Sequence, residues 1–465
     1  MKAGLATVAV VVVLLGSGGG AARAAGGPER RPGPAGSLVI VEPDPATPLV
    51  HVAVAIRSGS GWDPHKKDGL ANLTALVARR AAAGQTREQL DARIDALGAT
   101  LEVRTDPDSV RFEGHVLDRA LDDYLAIIAD ILLRPDFPAA EFARSRREVI
   151  ADIDEARNDD DELGRRFFLR NLFGDHPYGH AAEGHRAALE RIRPDELVAH
   201  HRRHVVGPNM IFAAAGAVET DDFSRRVRRA FAALPTTAAP GPNPLVLREP
   251  VKPSGWRIQI VDKPERQQAH IWFGQFGVRA TDPDYVPLLV AITSFGGAGM
   301  KTTLMDEVRG RRGLAYGAYM GLSERLGRGS MAGWVSTAND KAVTTLKTVL
   351  RLFLTLGDKG IDERRLAFAK GFLAGSRAAA LDDPERRLDA RISAEIVGLP
   401  PTFVDDLATR VRAVTPAEVK AAIARRIRAR DLAITVVATA ADMRRRLLEA
   451  KVEPSAVDVV PFDGY

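Results

Sequence analysis

The chain has 465 residues, of which 45% are hydrophobic and 27% are charged, with 41 glycines, 28 prolines and no cysteine. This length exceeds one ordinary hydrophobic core and predicts two to four domains, while the composition excludes a collagen, a coiled coil and a disulfide scaffold. The net charge is only +5, from 65 basic and 60 acidic residues, so it does not indicate a nucleic-acid partner.

The amino terminus predicts an export signal. Lys2 precedes an apolar run from Ala3 to Leu15, and small residues follow as far as Ala24. This pattern is typical of a secretory signal peptide over residues 1–24, cleaved after Ala24. The alternative is a membrane span, but the apolar run is shorter than the about 20 residues that a span needs. We therefore expect an exported protein, in the periplasm of a two-membrane bacterium, with no membrane segment after cleavage.

The rest of the chain contains two halves that follow one plan. Each half opens with two β-branched runs around a turn that contains proline. Each closes with a helix that leads into a strand, and the helix begins at Pro194 in one half and at Pro416 in the other. The offset is about 220 residues at both ends, which indicates an internal repeat. Between the halves, residues 236–255 are rich in proline and glycine, as expected of a linker.

Each half combines strands with amphipathic helices. Residues 117–134 and 341–356 place apolar side chains at helical spacing. Strands group around runs of helix instead of alternating with them, so the sequence predicts an α+β fold with a mostly antiparallel sheet in each half. We predict an N-terminal domain over residues 37–235, a C-terminal domain over residues 256–445 and a tail over residues 446–465.

Short motifs in a fixed order carry a resemblance to a known family. The first half contains Gly59-Ser60-Gly61-Trp62-Asp63-Pro64, Gly69-Leu70-Ala71, His176-Pro177-Tyr178-Gly179 and Pro208-Asn209-Met210. The second half contains Phe295-Gly296-Gly297, Leu304-Met305-Asp306-Glu307-Val308-Arg309 and Gly313-Leu314-Ala315-Tyr316. In this order the chain resembles the pitrilysin-type, or inverted zincin, metallopeptidases, which include the mitochondrial processing peptidase and bacterial relatives. The resemblance covers about residues 37 to 440 and implies two homologous pitrilysin-like domains.

The resemblance also implies that the metal site of the family is empty. In catalytic members the helix after Gly-Leu-Ala carries H-x-x-E-H, whose two histidines bind zinc and whose glutamate is the general base. Carried over, the first histidine falls on Asn72, the glutamate on Ala75, the second histidine on Leu76, and the third ligand, a glutamate in the family, on Asp152. One carboxylate cannot replace three protein ligands. We expect an ordinary helix here and no metal or other cofactor in this chain.

The second half keeps a pair of residues that the family uses on substrate. Members with a complete active site hold the substrate backbone and the charged tetrahedral intermediate with an arginine and a tyrosine seven residues apart. Arg309 and Tyr316 have that spacing, and their N–H and O–H groups are suited to an oxyanion. In the alternative, Arg309 pairs at the end of a helix and Tyr316 packs in a strand.

An empty metal site beside a retained pair resembles the non-zinc subunits of heterodimeric bacterial members. We therefore expect a homologous zinc-bearing partner subunit with H-x-x-E-H, a chamber between the two chains, and a peptide substrate that adds to an exposed sheet edge. Two alternatives stay open. One is a non-catalytic scaffold or peptide-binding protein of the same fold, and the other is a metallopeptidase with a relocated metal site at His200 and His204.

Other polar clusters give weaker signals. His176 and His180 flank a Pro-Tyr-Gly turn, His185 follows on what we expect to be a solvated helix surface, and no ligand role is predicted for them. The acidic run 158–162 is typical of a solvated helix end or loop, because the glycine-centred loop of a calcium site is absent from it.

Overall fold

The computed structural model describes residues 29–464, except residues 242, 252, 298, 453 and 455. The predicted signal peptide, residues 1–24, lies outside the described residues. Among the described helices, none combines the length and the apolar character that crossing a membrane requires.

Strands and helices group in the manner that the sequence predicts. The strands are β1 Glu29–Pro32, β2 Leu38–Pro43, β3 Leu49–Ile56, β4 Glu102–Thr105, β5 Val110–Leu117, β6 Met210–Gly216, β7 Trp256–Asp262, β8 Gln268–Phe276, β9 Ala315–Leu322, β10 Ser330–Ala338, β11 Leu432–Ala438 and β12 Ala456–Pro461. The helices of the first half are α1 Leu70–Arg80, α2 Arg87–Ala96, α3 Leu121–Leu133, α4 Ala139–Ala156, α5 Asp160–Phe173, α6 Arg186–Leu189, α7 Pro194–His204 and α8 Thr220–Ala230. Those that follow are α9 Pro244–Leu247, α10 Tyr285–Gly296, α11 Ala342–Lys359, α12 Glu363–Ala380, α13 Pro384–Ile396, α14 Phe403–Ala413, α15 Pro416–Arg426 and α16 Ala440–Glu449.

The strands form two sheets with the same topology. Within the described residues, the first sheet has the order β1-β2-β6-β3-β5-β4 and the second has the order β12-β7-β11-β8-β10-β9. If the end strands β1 and β12 are set aside, the two orders match strand for strand. Neighbouring strands are antiparallel, except that β2 is parallel to β6 and β7 is parallel to both β11 and β12. The predicted α+β fold with two homologous, mostly antiparallel halves is confirmed.

Each half lends a helix to the sheet of the other half. Alternate residues of a strand point to opposite faces, and in β3 Val52 and Val54 pack on the helices of the first half while Ala53 and Ala55 face the other way. On that second face lies α13, which comes from the second half and contacts β2 and β6. In the same manner α5, from the first half, packs on β8 and β11. Both predicted domains, residues 37–235 and 256–445, therefore share their cores.

The predicted linker and tail both contribute structure. Within residues 236–255, α9 buries Val246 completely, and the Asn243 side chain donates a hydrogen bond of 2.6 Å to the carbonyl of Gly61. Within residues 446–465, α16 ends and β12 pairs with β7 at the edge of the second sheet. Apolar contacts and backbone pairing therefore order segments whose composition predicts only a connection and an end.

Candidate functional site

The helix of the family's metal motif, α1, begins at a buried turn. Gly69, just before the helix, has a φ of 94°, and a Cβ there would lie 2.5 Å from the carbonyl oxygen of Glu183. The carboxylate of Asp63 accepts hydrogen bonds from the N–H groups of Gly69 at 2.7 Å and of Ala71 at 2.8 Å. Burial raises the pKa of Asp63, while these two hydrogen bonds act in the opposite direction. The Trp-Asp-Pro and Gly-Leu-Ala motifs together fix the start of α1.

The four positions that correspond to the metal motif have little metal-binding chemistry. Asn72 and Leu76 are half-buried on α1, and Ala75 is buried between them. Asp152 lies exposed on α4, which packs against α1. An apolar side chain stands at two of these four positions, so the helix has a packing role here.

The surroundings of Asp152 are acidic. Partial desolvation by the neighbouring side chains raises the pKa of its carboxyl, and the carboxylates of Glu155 and Glu148 act in the same direction. Arg80, from α1, ion-pairs with Glu148. An ion pair between α1 and α4 therefore lies near the position where the family has its third ligand, beside the apolar side chains that the two helices share in the core.

Arg309 lies on an irregular helical segment, Met305–Arg311, whose hydrogen-bond pattern is that of a π-helix. Met305 and Val308 bury their side chains on its inner side, whereas Arg309 is exposed. Among the described residues, no ion pair or side-chain hydrogen bond engages Arg309, although Arg311 pairs with Asp306 at 3.3 Å. Single π-helical turns occur often at functional sites. The guanidinium of Arg309 is thus presented to solvent.

Tyr316 lies on β9, the edge strand of the second sheet, and is 90% exposed. Between the pairs Ala318–Val335 and Ala315–Thr337, β9 has two residues where β10 has one, which is a β-bulge. A bulge at a sheet edge changes the direction of a side chain. The bulge contains Tyr316, so the phenol leaves the packed surface of the sheet.

A tight connection joins the two segments that carry the pair. The N–H of Gly313 donates to the carbonyl of Arg309 at 3.2 Å, and the N–H of Leu314 donates to the carbonyl of Val308 at 2.9 Å. Gly313 has a φ of 55°, a conformation that glycine adopts readily. The geometry does not match the alternative in which Arg309 pairs at a helix end and Tyr316 packs within its strand. Their role on substrate stays a prediction.

Two sequence profiles match most of the chain. The profile described as Insulinase (Peptidase family M16) matches residues 38–185, and the profile described as Peptidase M16 inactive domain matches residues 191–373. The chain belongs to peptidase family M16. The second match includes both residues of the exposed pair, and the pitrilysin-type resemblance read from the motifs is confirmed.

Relatives of this M16 chain carry different descriptions. An uncharacterized zinc protease of Streptomyces coelicolor is 24% identical over 407 residues, which cover 87% of this chain and 88% of the relative. The non-peptidase homolog YmxG of Helicobacter pylori is 22% identical over 404 residues, covering 86% and 91%. Among solved structures, a peptidase M16 inactive domain from Pseudomonas fluorescens superimposes with a TM-score of 0.81 at 23% identity, covering 93% and 98%. That likeness shows a common fold.

The family's zinc does not fit the residues of this M16 chain. Within the described residues, histidine and carboxylate ligand atoms come close enough to hold one ion in two groups, and neither group includes Asn72, Ala75, Leu76 or Asp152. An amide, two aliphatic side chains and one carboxylate do not supply the three ligands of a catalytic zinc. These four residues therefore do not form a catalytic metal centre.

His200 and His204 lie on α7, which packs against α1. Their ring centroids are 4.4 Å apart, beside a cavity of about 20 Å³. The cavity is lined by Ile56, Ser58, Ala71, Thr74, Ala75, Ala78, Val110, Phe112, Leu132, His200, His201, His204 and Val205. Burial lowers the pKa of His204 to about 4. This lining includes no carboxylate, so it gives no support to a relocated metal site.

The remaining histidines of the motif region are partnered. Nδ1 of His176 accepts a hydrogen bond from the N–H of Tyr178 at 3.1 Å and so caps the turn. Asp68 lies 3.3 Å from His185 and 3.9 Å from His180, and the sequence did not predict this group. His185 is thus engaged by a carboxylate and does not lie free on a solvated helix. Because Asp68 comes from the turn before α1, only the tertiary fold brings the three together.

Proposed function

We propose that this protein is the exported, non-zinc subunit of a heterodimeric M16 peptidase, and that it binds substrate for a zinc-bearing partner subunit. One observation carries the proposal. Arg309 and Tyr316 are both exposed where the chain enters the edge strand β9, while the positions of the family's zinc ligands hold no suitable set of donors.

The chemistry of the pair supports a role in peptide hydrolysis. A guanidinium and a phenol can both donate hydrogen bonds to the oxygen of a scissile carbonyl as negative charge develops on it, and each such donor contributes about 3 kcal/mol. Among the described residues, no carboxylate competes for the guanidinium of Arg309. The bulge at Tyr316 leaves its O–H free of the sheet. Both donors are therefore available to a bound peptide.

The edge of the second sheet supports an extended peptide as the substrate. Within the described residues, β9 pairs on one side only, with β10. An unpaired strand edge can accept a peptide through main-chain hydrogen bonds, a mode that tolerates many side chains. The description of the Helicobacter pylori relative as a non-peptidase homolog is consistent with a chain that does not cleave alone. Export follows from the predicted signal peptide.

The test is to co-express the chain with a homologous exported chain that carries an intact H-x-x-E-H motif. We expect Arg309→Ala and Tyr316→Phe each to lower kcat/KM for a fluorogenic peptide by about ten- to a thousandfold, the range for a lost oxyanion donor. Size-exclusion chromatography should show an intact complex in both variants. Matched controls are Arg311→Ala and Tyr319→Phe, since Arg311 pairs with Asp306 and Tyr319 stacks on Trp334 at a centroid distance of 6.1 Å.

Two results would point elsewhere. Unchanged kcat/KM in the Arg309 and Tyr316 variants would leave a scaffold or peptide-binding protein of the same fold. Peptide cleavage by the purified chain alone, inhibited by a chelator, would instead support a metallopeptidase with its own metal site.

A further inference from the structure

A cluster of two histidines and a glutamate joins the two halves of the molecule. His51 on β3 and His115 on β5 are directly opposite each other in the first sheet, with ring centroids 4.9 Å apart. Glu385, the second residue of α13, lies over them. Its Oε2 is 2.8 Å from Nε2 of His115, and its Oε1 is 3.6 Å from Nδ1 of His51. Three residues that are distant in the sequence therefore converge where α13 begins.

His51 is an unusual buried side chain. It is only 6% exposed, and neither of its ring nitrogens makes a hydrogen bond with the described residues. Buried polar groups in native proteins almost always have a partner, so each exception asks for an explanation. Burial lowers the pKa of His51 although Glu385 opposes this change, and a neutral imidazole is the form that binds a metal.

The surroundings of the cluster favour a cation. Glu113 on β5 and Asp389 on α13 lie near it, and each has a buried carboxylate oxygen without a hydrogen-bond partner among the described residues. Burial raises the pKa of Glu113, and the charge of Asp389 acts in the same direction. Arg111 lies 3.7 Å from Asp389, and together with Arg104 it offsets part of the negative charge.

We propose that His51, His115 and Glu385 bind one divalent transition-metal ion, with zinc as the best match. One ligand atom from each residue lies within 4.8 Å of the others. Ligand atoms around a tetrahedral zinc are about 3.4 Å apart, given metal–ligand distances near 2 Å. Small side-chain rotations are enough to close the site.

The site has an open side as well as a buried one. The side chains of His115 and Glu385 are 37% and 42% exposed, so an ion can reach the cluster and keep water as its fourth ligand. Two ligands come from the first sheet and one from a helix of the second half. The ion would therefore be a structural metal that clamps the halves together, and it would not replace the catalytic zinc that the chain lacks. Its two histidines belong to the first sheet, whereas Tyr316 belongs to the second. This inference does not depend on the proposed function.

The internal repeat supplies a control within the same molecule. His270 on β8 faces Ser336 on β10, as His51 faces His115, and Asp161 is the second residue of α5, as Glu385 is of α13. Ser336 is not a zinc ligand. Asp161 accepts a hydrogen bond from the indole of Trp272 at 3.1 Å. The equivalent position of the second sheet is therefore not expected to bind zinc.

The experiment measures zinc on the purified chain, produced without a histidine tag and stripped with a chelator. We expect one zinc per chain by competition with a chromophoric chelator, together with a higher Tm when zinc is present. His115→Gln and Glu385→Gln should each lower zinc affinity by at least about tenfold and reduce the rise in Tm. Because these two side chains are partly exposed, the variants keep the test usable if His51→Gln fails to fold.

The controls separate this site from other histidines. His270→Gln and His185→Gln should bind zinc as the parent chain does. The proposal is overturned if the chain binds no zinc at tenfold molar excess, if His115→Gln and Glu385→Gln retain full affinity, or if the His185 variant is the one that loses it. Peptide hydrolysis is not part of the readout, so the result is independent of the test on Arg309 and Tyr316.

Discussion

The carboxylate of Asp63 caps the N-terminus of α1 although Asp63 is not adjacent to it in the sequence. A capping side chain usually belongs to the residue next to the helix. The first turn of a helix has N–H groups without partners. Asp63 accepts hydrogen bonds from two of these groups, those of Gly69 and Ala71, which follow it by six and eight residues. The side chain is only 7% exposed, so water cannot replace it. Asp63 therefore stabilises the helix that carries Asn72, Ala75 and Leu76.

We expect Asp63→Ala to lower the free energy of unfolding by about 2 kcal/mol, because two buried N–H groups lose their acceptor. Asp63→Asn should have a smaller effect, since an amide oxygen can still accept a hydrogen bond. Urea denaturation followed by circular dichroism measures both values. Asp95→Ala, at an exposed position near the end of α2, is the control. Equal stability of the Asp63→Ala and Asp95→Ala variants would contradict this role.

Tyr178 shows how one residue of a short motif contacts distant segments of the chain. The phenol of Tyr178, from the His-Pro-Tyr-Gly motif, donates to Asp108 at 2.5 Å and accepts from the N–H of Gly327 at 2.9 Å. It joins a turn of the first half to a loop of the second. The sequence places this motif before a helix, but its partners lie in distant segments and local spacing cannot predict them.

At the scale of elements, α5 and α13 decide how the halves fit together. The acidic run 158–162, predicted to be a solvated helix end or loop, lies at the start of α5, and part of it is not solvated. Asp159 caps this helix, and Asp160 ion-pairs with the buried Lys263 at 2.5 Å. The run therefore contacts the second sheet because α5 packs there. A run of acidic residues at a helix start is consistent with the helix dipole, yet the sequence alone does not identify the partner.

Gly164 lets α5 lie close to the second sheet. A Cβ at this position would be 2.7 Å from the ring of Trp272. Glycine normally destabilises a helix by about 0.5 to 1 kcal/mol relative to alanine. We expect the opposite sign here, so that Gly164→Ala lowers the free energy of unfolding by about 1 to 3 kcal/mol through overpacking.

The matched control is Gly371→Ala in α12, where a Cβ meets nothing within 4 Å. This variant should be as stable as the parent chain or more stable by up to about 1 kcal/mol. Thermal unfolding of both variants under one set of conditions tests the pair. If Gly164→Ala proved as stable as Gly371→Ala, the close approach of α5 would not matter to stability.

At the scale of the whole molecule, buried charges connect the halves. Glu42 on β2 is 3% exposed and accepts a hydrogen bond from Arg387 at 3.0 Å and another from Arg391. Arg391 is 4% exposed and also binds Asp405 through two hydrogen bonds of 2.9 Å. A buried ion pair adds little net stability, but removal of one partner leaves a charge that water cannot reach.

We expect Glu42→Ala to lower the free energy of unfolding by about 3 kcal/mol, because it leaves the guanidinium of Arg391 with only Asp405. Glu42→Leu and Arg391→Met, made singly and together, form a double-mutant cycle, and the double variant should lose less stability than the sum of its two single variants because neither buried charge is left without its partner. Chemical denaturation of the single and double variants gives the coupling energy. Glu102→Ala, on an exposed position of β4, is the control. Additive losses would show that the two charges act independently.

The sequence by itself determined the repeat, the α+β class, the family and the loss of the family's zinc ligands at the metal motif. The repeat and the fold class follow from apolar periodicity and turn residues, which are local properties of the chain, whereas the family and the loss of its metal ligands follow from the resemblance that the short motifs carry. The helices predicted over residues 117–134 and 341–356 correspond to α3 and α11. The side chains at the two histidine positions of the metal motif, Asn72 and Leu76, can likewise be read from the sequence of a single helix.

Only the tertiary structure decided which distant side chains meet. The exchange of α5 and α13, the pairing of β12 with β7 and the convergence of His51, His115 and Glu385 join segments up to several hundred residues apart. Strand pairing and the fit of small residues against a helix set these contacts, and neither is encoded in local periodicity. The exposure of Arg309 and Tyr316 also depends on a bulge and on an edge strand, which exist only once the sheet has formed.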